Sequence, residues 1–363
     1  MKILAPLLKY DYGIESRGPS LERTYFVPAL SASNAEVVPF WLEEHGYPDD
    51  IEGLQVRLMA AAERFRPDLV FLVLMRDEVK AATVRELSSR YRTLNWFADD
   101  QWRFDSFTRH IAPLLTYSVT VDKYSIPRYH DLGLTNVILS QWAHDSPDSS
   151  LPSPDELTLD VTFVGTWSSV RQWYVDRLTA AGVDVQCFGS GWAHGRVTFE
   201  RMREIARTSK VSLNLSNSQP SSVDYVLYLI QKTLRAAFGK GRLRTKYWQN
   251  LRHHLGMVRS LLRSHKRVEQ LKARNFELSG WGGFQVSQFC LGIEDYFTAG
   301  KEITLFSTPE ELVTVVKYYL VETAERETIR AAGMKRVSNQ TYTMRLSKVL
   351  LEIERETRDI HSF

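Results

Sequence analysis

The sequence is poor in the residues that build special-purpose scaffolds. It has two cysteines in 363 residues, Cys187 and Cys290, too few for a disulfide framework or a cysteine-rich zinc site. Its nine histidines show no HExxH or His-x-His spacing, so no zinc-hydrolase signature is present. His110, His130 and His144 stand alone and read as structural or solvated. No apolar run approaches the roughly 20 residues that cross a bilayer. The stretch from Met1 to Leu8, closed by Lys9, is too short for a signal-peptide core and reads as a first strand. The expectation is a cytoplasmic protein. A P-loop, a full GxGxxG and a 20–50-residue repeat are missing too, which weakens Walker-type ATP and dinucleotide readings. What remains is an ordinary globular composition, 44% hydrophobic and 25% charged, long enough for two domains.

Charge is unevenly placed. The net charge is +3, from 46 basic and 43 acidic residues. Residues 231–274 hold 13 Lys or Arg against one acid, Glu269, which leaves a net of −9 on the rest of the chain. Leu251, Leu255, Val258, Leu261 and Leu262 recur at near-helical spacing within that stretch, with basic residues between them. Two readings stay open for it: a solvated helical arm whose leucines pack on the domain, or a basic amphipathic helix on an anionic membrane surface. No aromatic-interleaved platform or zinc finger accompanies the charge, so nucleic acid is not an expected partner.

Periodicity predicts alternating strands and helices. Strands are expected at Lys2–Leu8, Glu36–Phe40, Asp68–Met75, Thr93–Phe97, Ser118–Val121 and Asn136–Leu139, with helices over Ile51–Phe65 and Asp77–Tyr91 between them. Ser20 can cap a further helix in which Leu21, Tyr25, Phe26 and Leu30 share a face. Residues 144–155, with three prolines and four serines, form the best linker. Alternation then restarts with Leu159–Gly165, Ser168–Ala181, Val183–Phe188, Glu200–Arg207 and Val211–Leu215. It resumes beyond the basic stretch with Lys301–Leu305 and helices over Pro309–Val321, Glu325–Ala332 and Tyr342–Glu356. The plan is α/β, with two Rossmann-like domains in tandem.

Parallel strands that end in glycine before a helix offer backbone N–H groups to an anion. Gly165-Thr166 and Gly189-Ser190-Gly191 have that placement, and so does Gly18 after the first strand. The most specific stretch is Arg274-Asn275-Phe276-Glu277, which leads through Gly282-Gly283 into a strand. Glu277 can accept both hydroxyls of a ribose while Arg274, one turn earlier, meets phosphate; the plainer reading is a solvated surface pair. Single tryptophans such as Trp167 and Trp281 can stack on a base or sugar, but at single positions they more often fill a core.

These residues carry a resemblance. The Arg274–Glu277 block is similar to the C-terminal signature of GT-B glycosyltransferases of the glycosyl transferase group 1 type. It resembles more closely the CgeB-like, spore-maturation-type branch. Lys9-Tyr10-Asp11-Tyr12-Gly13, Arg17-Gly18-Pro19-Ser20-Leu21-Glu22, Trp96-Phe97-Ala98-Asp99-Asp100, Val164-Gly165-Thr166, Ser209-Lys210-Val211 and Gly300-Lys301-Glu302-Ile303 resemble that branch as well.

The resemblance implies a GT-B fold of two Rossmann-like domains facing across a cleft. Residues 1–145 would bind acceptor, 146–157 would link, and 158–340 would bind a nucleotide-sugar donor. A basic helical insertion over about 226–272 interrupts the second domain, and the helix in 341–363 would pack back on the first. It also implies donor contacts at Gly165, Thr166, Lys210, Arg274, Glu277, Gly282 and Gly283, and acceptor contacts at Tyr10, Arg17, Gly18 and Glu22. Asp99 or Asp100 would serve as base if the reaction inverts. Glu269, eight residues before Glu277, would approach the donor sugar if it retains. Neither a metal nor a resident cofactor is expected, since the nucleotide-sugar is a substrate. The acceptor would be a glycan, a lipid-linked sugar or a protein. A nucleotide-sugar epimerase of the same fold, and a non-catalytic glycan- or partner-binding relative, remain the alternatives.

Overall fold

The structure is a computed structural model that describes residues 1–145, 150–216, 223–238, 266 and 268–361. It divides into two compact units, Met1–Ser146 with Ser338–Phe363, and Pro147–Val337.

The first unit is built on six parallel strands: β1 Lys2–Leu7, β2 Glu36–Trp41, β3 Leu69–Leu72, β4 Arg92–Phe97, β5 Tyr117–Thr120 and β6 Val137–Leu139. Their order is β2-β1-β3-β4-β5-β6. Because every pairing is parallel, all carboxyl ends lie on one edge, and the chain reverses its winding between β1 and β3. Helix Ile51–Phe65 shows why the crossovers form. The Asp50 side chain accepts from Gly53 N, Leu54, Leu58 and Ala62 bury one face, and Arg66 leaves the helix in a left-handed conformation before Pro67.

The apolar run at Asp68–Met75 yields a strand of only four residues. Beyond Leu72 the chain bends, and Leu74 N donates to the Asn95 side-chain oxygen (2.7 Å) instead of a ladder carbonyl. The next helix starts at Ala81 rather than Asp77, because the bend is held by Gln55 and Glu78, which accept from Lys80 N and Arg76 N. Helix Tyr342–His361 completes this unit: Tyr342 stacks on Tyr25 (5.0 Å between ring centres), and Ser347 Oγ lies 2.8 Å from Ser33 Oγ.

The second unit carries β7 Leu159–Val164, β8 Gln186–Phe188, β9 Ser209–Asn214, β10 Gln285–Gln288 and β11 Thr304–Phe306. Their order is β11-β10-β9-β7-β8, again all parallel. Trp173, Tyr174 and Leu178 of helix Ser169–Ala180 and Val316 of helix Pro309–Val321 bury against the sheet. Of the basic insertion expected over 226–272, helix Val223–Phe238 contributes Tyr225 and Leu229 to this core. Residues 239–265 and 267 lie outside the described residues. Among the described residues no helix is long and apolar enough to cross a membrane.

Candidate functional site

Open parallel sheets bind ligands at the carboxyl ends of their strands, so the chemistry is sought at that edge of each unit. In the second unit, Gly165 follows β7 and donates its N–H to the Phe188 carbonyl (2.9 Å). Gly189 answers it from the end of β8, with φ of +125°, and a Cβ there would come within 2.2 Å of the Gly165 carbonyl oxygen. Only glycine allows these two loops to close. Thr166 and Trp167 then lead to Ser168, whose side chain accepts from Arg171 N and starts the helix.

That cap places Arg171 over the same edge. Its guanidinium donates to the Thr166 carbonyl (2.6 Å) and twice to the Leu215 carbonyl (3.2 Å each), so it is rigidly held. Burial and the neighbouring Arg274 pull its pKa down to about 10. Arg274 opens helix Ala273–Gly280, with Nη1 3.2 Å from Glu277 Oε2 but in no hydrogen bond there, and Nη2 against the Met202 sulfur. Two guanidiniums that repel across a mostly buried edge form a place where an anion lowers the energy. Asn275 fixes the start of this helix by donating to Ser287 of β10 (3.0 Å). Glu277 is only 3% exposed, which removes the reading of a solvated surface pair.

Glu269 also reaches this edge. It accepts from Gln288 Nε2 (3.2 Å), and the same nitrogen donates to Tyr174 OH (3.0 Å), while Gln288 Oε1 accepts from Ser216 N beyond β9. Burial raises the Glu269 pKa. Gly165, Thr166, Arg274, Glu277 and Glu269 therefore lie among the loops and helix that meet the carboxyl ends of β7, β8, β9 and β10.

Three expected donor contacts do not. Lys210 is the second residue of β9, at the opposite edge, and pairs with Asp160 near the start of β7 (2.6 Å). A strand residue at the amino end cannot turn its side chain through the length of the sheet. Gly282 and Gly283 likewise precede β10. Gly283 N closes the helix on the Leu278 carbonyl (2.8 Å), and a Cβ there would meet the Ala206 carbonyl oxygen at 3.1 Å. The Gly-Gly pair is a packing turn.

In the first unit, the loop after β1 folds back on itself: Tyr10 and Pro19 bridge, and Asp11 N donates to the Gly18 carbonyl (3.0 Å). Tyr10 OH donates to Glu15 (3.1 Å), and Arg17 stacks its guanidinium over Tyr12 (5.4 Å). Gly18 has φ of +85° with open space around it. Ser20 donates to the Leu8 carbonyl (2.7 Å) and accepts from Arg23 N (3.0 Å), which aims the first turn of the next helix, with Glu22, at the same edge. Burial, Asp11 and Asp99 raise the Tyr12 pKa, and Arg17 and Arg76 oppose the shift. The loops after β1, β3 and β4 thus converge electrostatically at the switch point.

The adjacent aspartates part company. Asp100 is fully buried and accepts from Thr108 Oγ1 (2.7 Å), Thr120 Oγ1 (2.6 Å) and Tyr129 OH (2.7 Å). A carboxylate with no solvent-exposed surface, held by three hydroxyls, is closed to an acceptor, so its expected role as base is corrected to holding the turn that presents Asp99. Asp99 remains half-exposed at the strand end.

Sequence reasoning missed Arg171 and the Gln288–Tyr174 pair. The signal for Arg171 was present: a helix-capping serine three residues beyond Gly165 puts an arginine in the first turn. Gln288 gave none, because glutamine at a strand end is common. Among the described residues no three His, Cys, Asp or Glu side chains gather as a metal site.

Comparison with known proteins is consistent with this geometry. Residues 171–350 match the family described as "Glycosyl transferase-like". No curated protein matches the chain in sequence. Solved structures of similar fold include a sucrose-phosphate synthase from Thermosynechococcus elongatus, with TM-score 0.56 and 11% identity over 100% of this chain and 99% of that one. A glycosyltransferase from Rickettsia africae superposes with TM-score 0.57 and 10% identity over 98% of both chains. Anabaena HepE in complex with UDP-glucose gives TM-score 0.54 and 11% identity over 98% of this chain and 100% of that one. With two parallel Rossmann-like sheets and these structural relatives, the chain has the GT-B fold, and its residues 171–350 match the glycosyl transferase-like family.

Proposed function

We propose that the protein is a glycosyltransferase that moves a sugar from a nucleotide-activated donor to a glycan, lipid-linked or protein acceptor. The observation that carries this reading is the convergence of Arg171 and Arg274 beside Glu277 at the carboxyl edge of the second sheet. Two guanidiniums suit a diphosphate, and a carboxylate beside them suits ribose hydroxyls. As the donor bond breaks, negative charge grows on the diphosphate, and fixed guanidiniums and helix N-termini stabilise it without reorganising. The reaction then calls for neither a resident cofactor nor a metal. Glu269, near the ends of β9 and β10, faces the donor sugar, and the loops after β1, β3 and β4 of the first unit receive the acceptor.

A thermal-shift panel of UDP, GDP, dTDP, CDP and ADP, with and without EDTA, tests the reading. One diphosphate at about 100 times its Kd stabilises by about 2.7 kcal/mol; the shift persists in EDTA and disappears in Arg274→Ala. No shift with any nucleotide refutes the proposal.

A peripheral membrane location follows from a separate observation. Val223, Leu227, Ile230 and Leu234 form an exposed apolar stripe on helix Val223–Phe238, which runs into the strongly basic sequence of 231–274. Apolar burial with basic charge alongside suits an anionic lipid surface. Co-sedimentation with phosphatidylglycerol vesicles but not phosphatidylcholine vesicles is expected, and equal recovery with both would refute it.

A further inference from the structure

A single peptide unit beyond β9 is gripped from both sides. The Leu215 carbonyl accepts from Arg171 Nε and Nη2 (3.2 Å each), and the N–H of the same unit, on Ser216, donates to Gln288 Oε1 (3.1 Å). A backbone N–H can only donate, so this contact fixes which end of the Gln288 amide is oxygen, and the amide nitrogen must face the other way. There Nε2 donates to Tyr174 OH (3.0 Å) and to Glu269 Oε1 (3.2 Å). Gln288 and Tyr174 are both buried, and both polar atoms of the amide are engaged by protein.

Ser216 N–H needs only an acceptor. What the amide adds is a donor aimed at a carboxylate, and Glu269 has need of one. It lies in an irregular stretch just ahead of helix Ala273–Gly280, half-buried. Among the described residues no Lys or Arg pairs with it, and Gln288 is the side chain that donates to it. A neutral donor occupies part of one carboxylate oxygen, whereas an arginine fork would occupy both and offset the charge. An ionised carboxylate offers about four acceptor positions, so Glu269 held in this way keeps capacity for hydroxyl hydrogens.

We propose that Gln288 is the positioning residue that holds Glu269 toward the hydroxyls of the donor sugar and, through the Leu215–Ser216 peptide, links that carboxylate to Arg171 at the phosphates. This role rests on the transferase reading above and deepens it, because one hydrogen-bonded chain then sets both the sugar-facing and the phosphate-facing groups. Every member of that chain belongs to the second unit, Pro147–Val337. Gln288 itself touches no substrate. It orders a side chain of an irregular stretch before the donor arrives, which lowers the ordering cost of binding.

Calorimetric titration of the full chain compares the diphosphate that binds with the tightest-binding of its glucose, galactose, mannose and N-acetylglucosamine esters. The readout is the ratio of the two Kd values, nucleotide-sugar over diphosphate, so a general loosening of the edge or of Arg171 cancels. Gln288→Met, which keeps the length of the side chain and removes the donor, should raise that ratio about tenfold, the value of a hydrogen bond to a charged group. Glu269→Ala should raise it at least as much, and Gln288→Met should add nothing in the Glu269→Ala background. Gln288→Glu keeps the acceptor for Ser216 N and sets a second carboxylate against Glu269. It should raise the ratio as well, which guards against a folding defect in the methionine variant. Equal losses for both ligands, an unchanged ratio in the Gln288 variants or in Glu269→Ala, or independent effects that multiply in the double variant would each overturn the assignment. Intact diphosphate binding by wild type with any of those results removes only this inference, whereas a wild type that binds no nucleotide removes the transferase reading itself.

Discussion

Arg274 Nη1 lies 3.2 Å from Glu277 Oε2 on one turn of a mostly buried helix. The groups assigned to phosphate and ribose therefore hold each other in place before a ligand arrives. Pre-organisation of this kind lowers the ordering cost of binding. It also means that the two residues cannot be removed independently.

Glu277→Ala should weaken diphosphate binding by about 10–100-fold, the value of one or two hydrogen bonds to a charged acceptor. Arg274→Ala should be the more damaging to stability, by about 3 kcal/mol, because it removes the cation 3.2 Å from a nearly buried carboxylate. Calorimetric titration and chemical denaturation of both variants check the pair, and equal stability losses would contradict the asymmetry.

Lys210→Ala should leave nucleotide binding unchanged and cost less than about 1 kcal/mol, since it breaks only the exposed pair with Asp160. A tenfold loss of nucleotide affinity would return Lys210 to the donor site.

Gly189→Ala should cost about 1–3 kcal/mol in strain and more through the clash with the Gly165 carbonyl oxygen, at 2.2 Å from the added Cβ. The two loops would part, so nucleotide binding should fall with stability. Undiminished thermal stability would show that the loops do not need to close.

Asp100→Ala should destabilise by about 3 kcal/mol, because Thr108, Thr120 and Tyr129 lose their shared acceptor. Asp100→Asn, which keeps one acceptor oxygen, should cost less. If Asp100→Asn abolishes turnover while stability is unchanged, Asp100 regains a catalytic role.

Glu22 makes a stability prediction with a definite sign. Its folded pKa of about 7 lies above the ordinary value of 4.5, so folding favours the protonated form, and the penalty for its charge grows as pH rises between those values. Glu22→Gln, which mimics the protonated acid, should match wild type near pH 5 and melt higher than wild type at pH 8. A constant difference across that range would show that Glu22 is not held in its neutral form.

Much of the fold was legible because hydrophobic periodicity is a local property. Helices Ile51–Phe65 and Pro309–Val321 appear with the boundaries their spacing predicts. The misreadings occurred where a distant group replaced a local one, as at Leu74, where Asn95 from the next strand ends the apolar run early. At the candidate site the division has the same cause. The Arg274–Glu277 block and the glycines after β7 and β8 are readable because their chemistry is set by near neighbours in the chain.

Which edge of a sheet a residue occupies, and how many hydroxyls surround a carboxylate, depend on residues far away in sequence. Tertiary structure alone moved Lys210, Gly282 and Gly283 to the wrong end of their strands, committed Asp100 to Thr108, Thr120 and Tyr129, and brought Arg171 up to Arg274. The sequence by itself determined two parallel α/β units and the residue types a diphosphate and a ribose require. Packing decided which of those residues keep a free face and which are spent on the fold, because burial and electrostatic pairing act through space and leave no period in the chain.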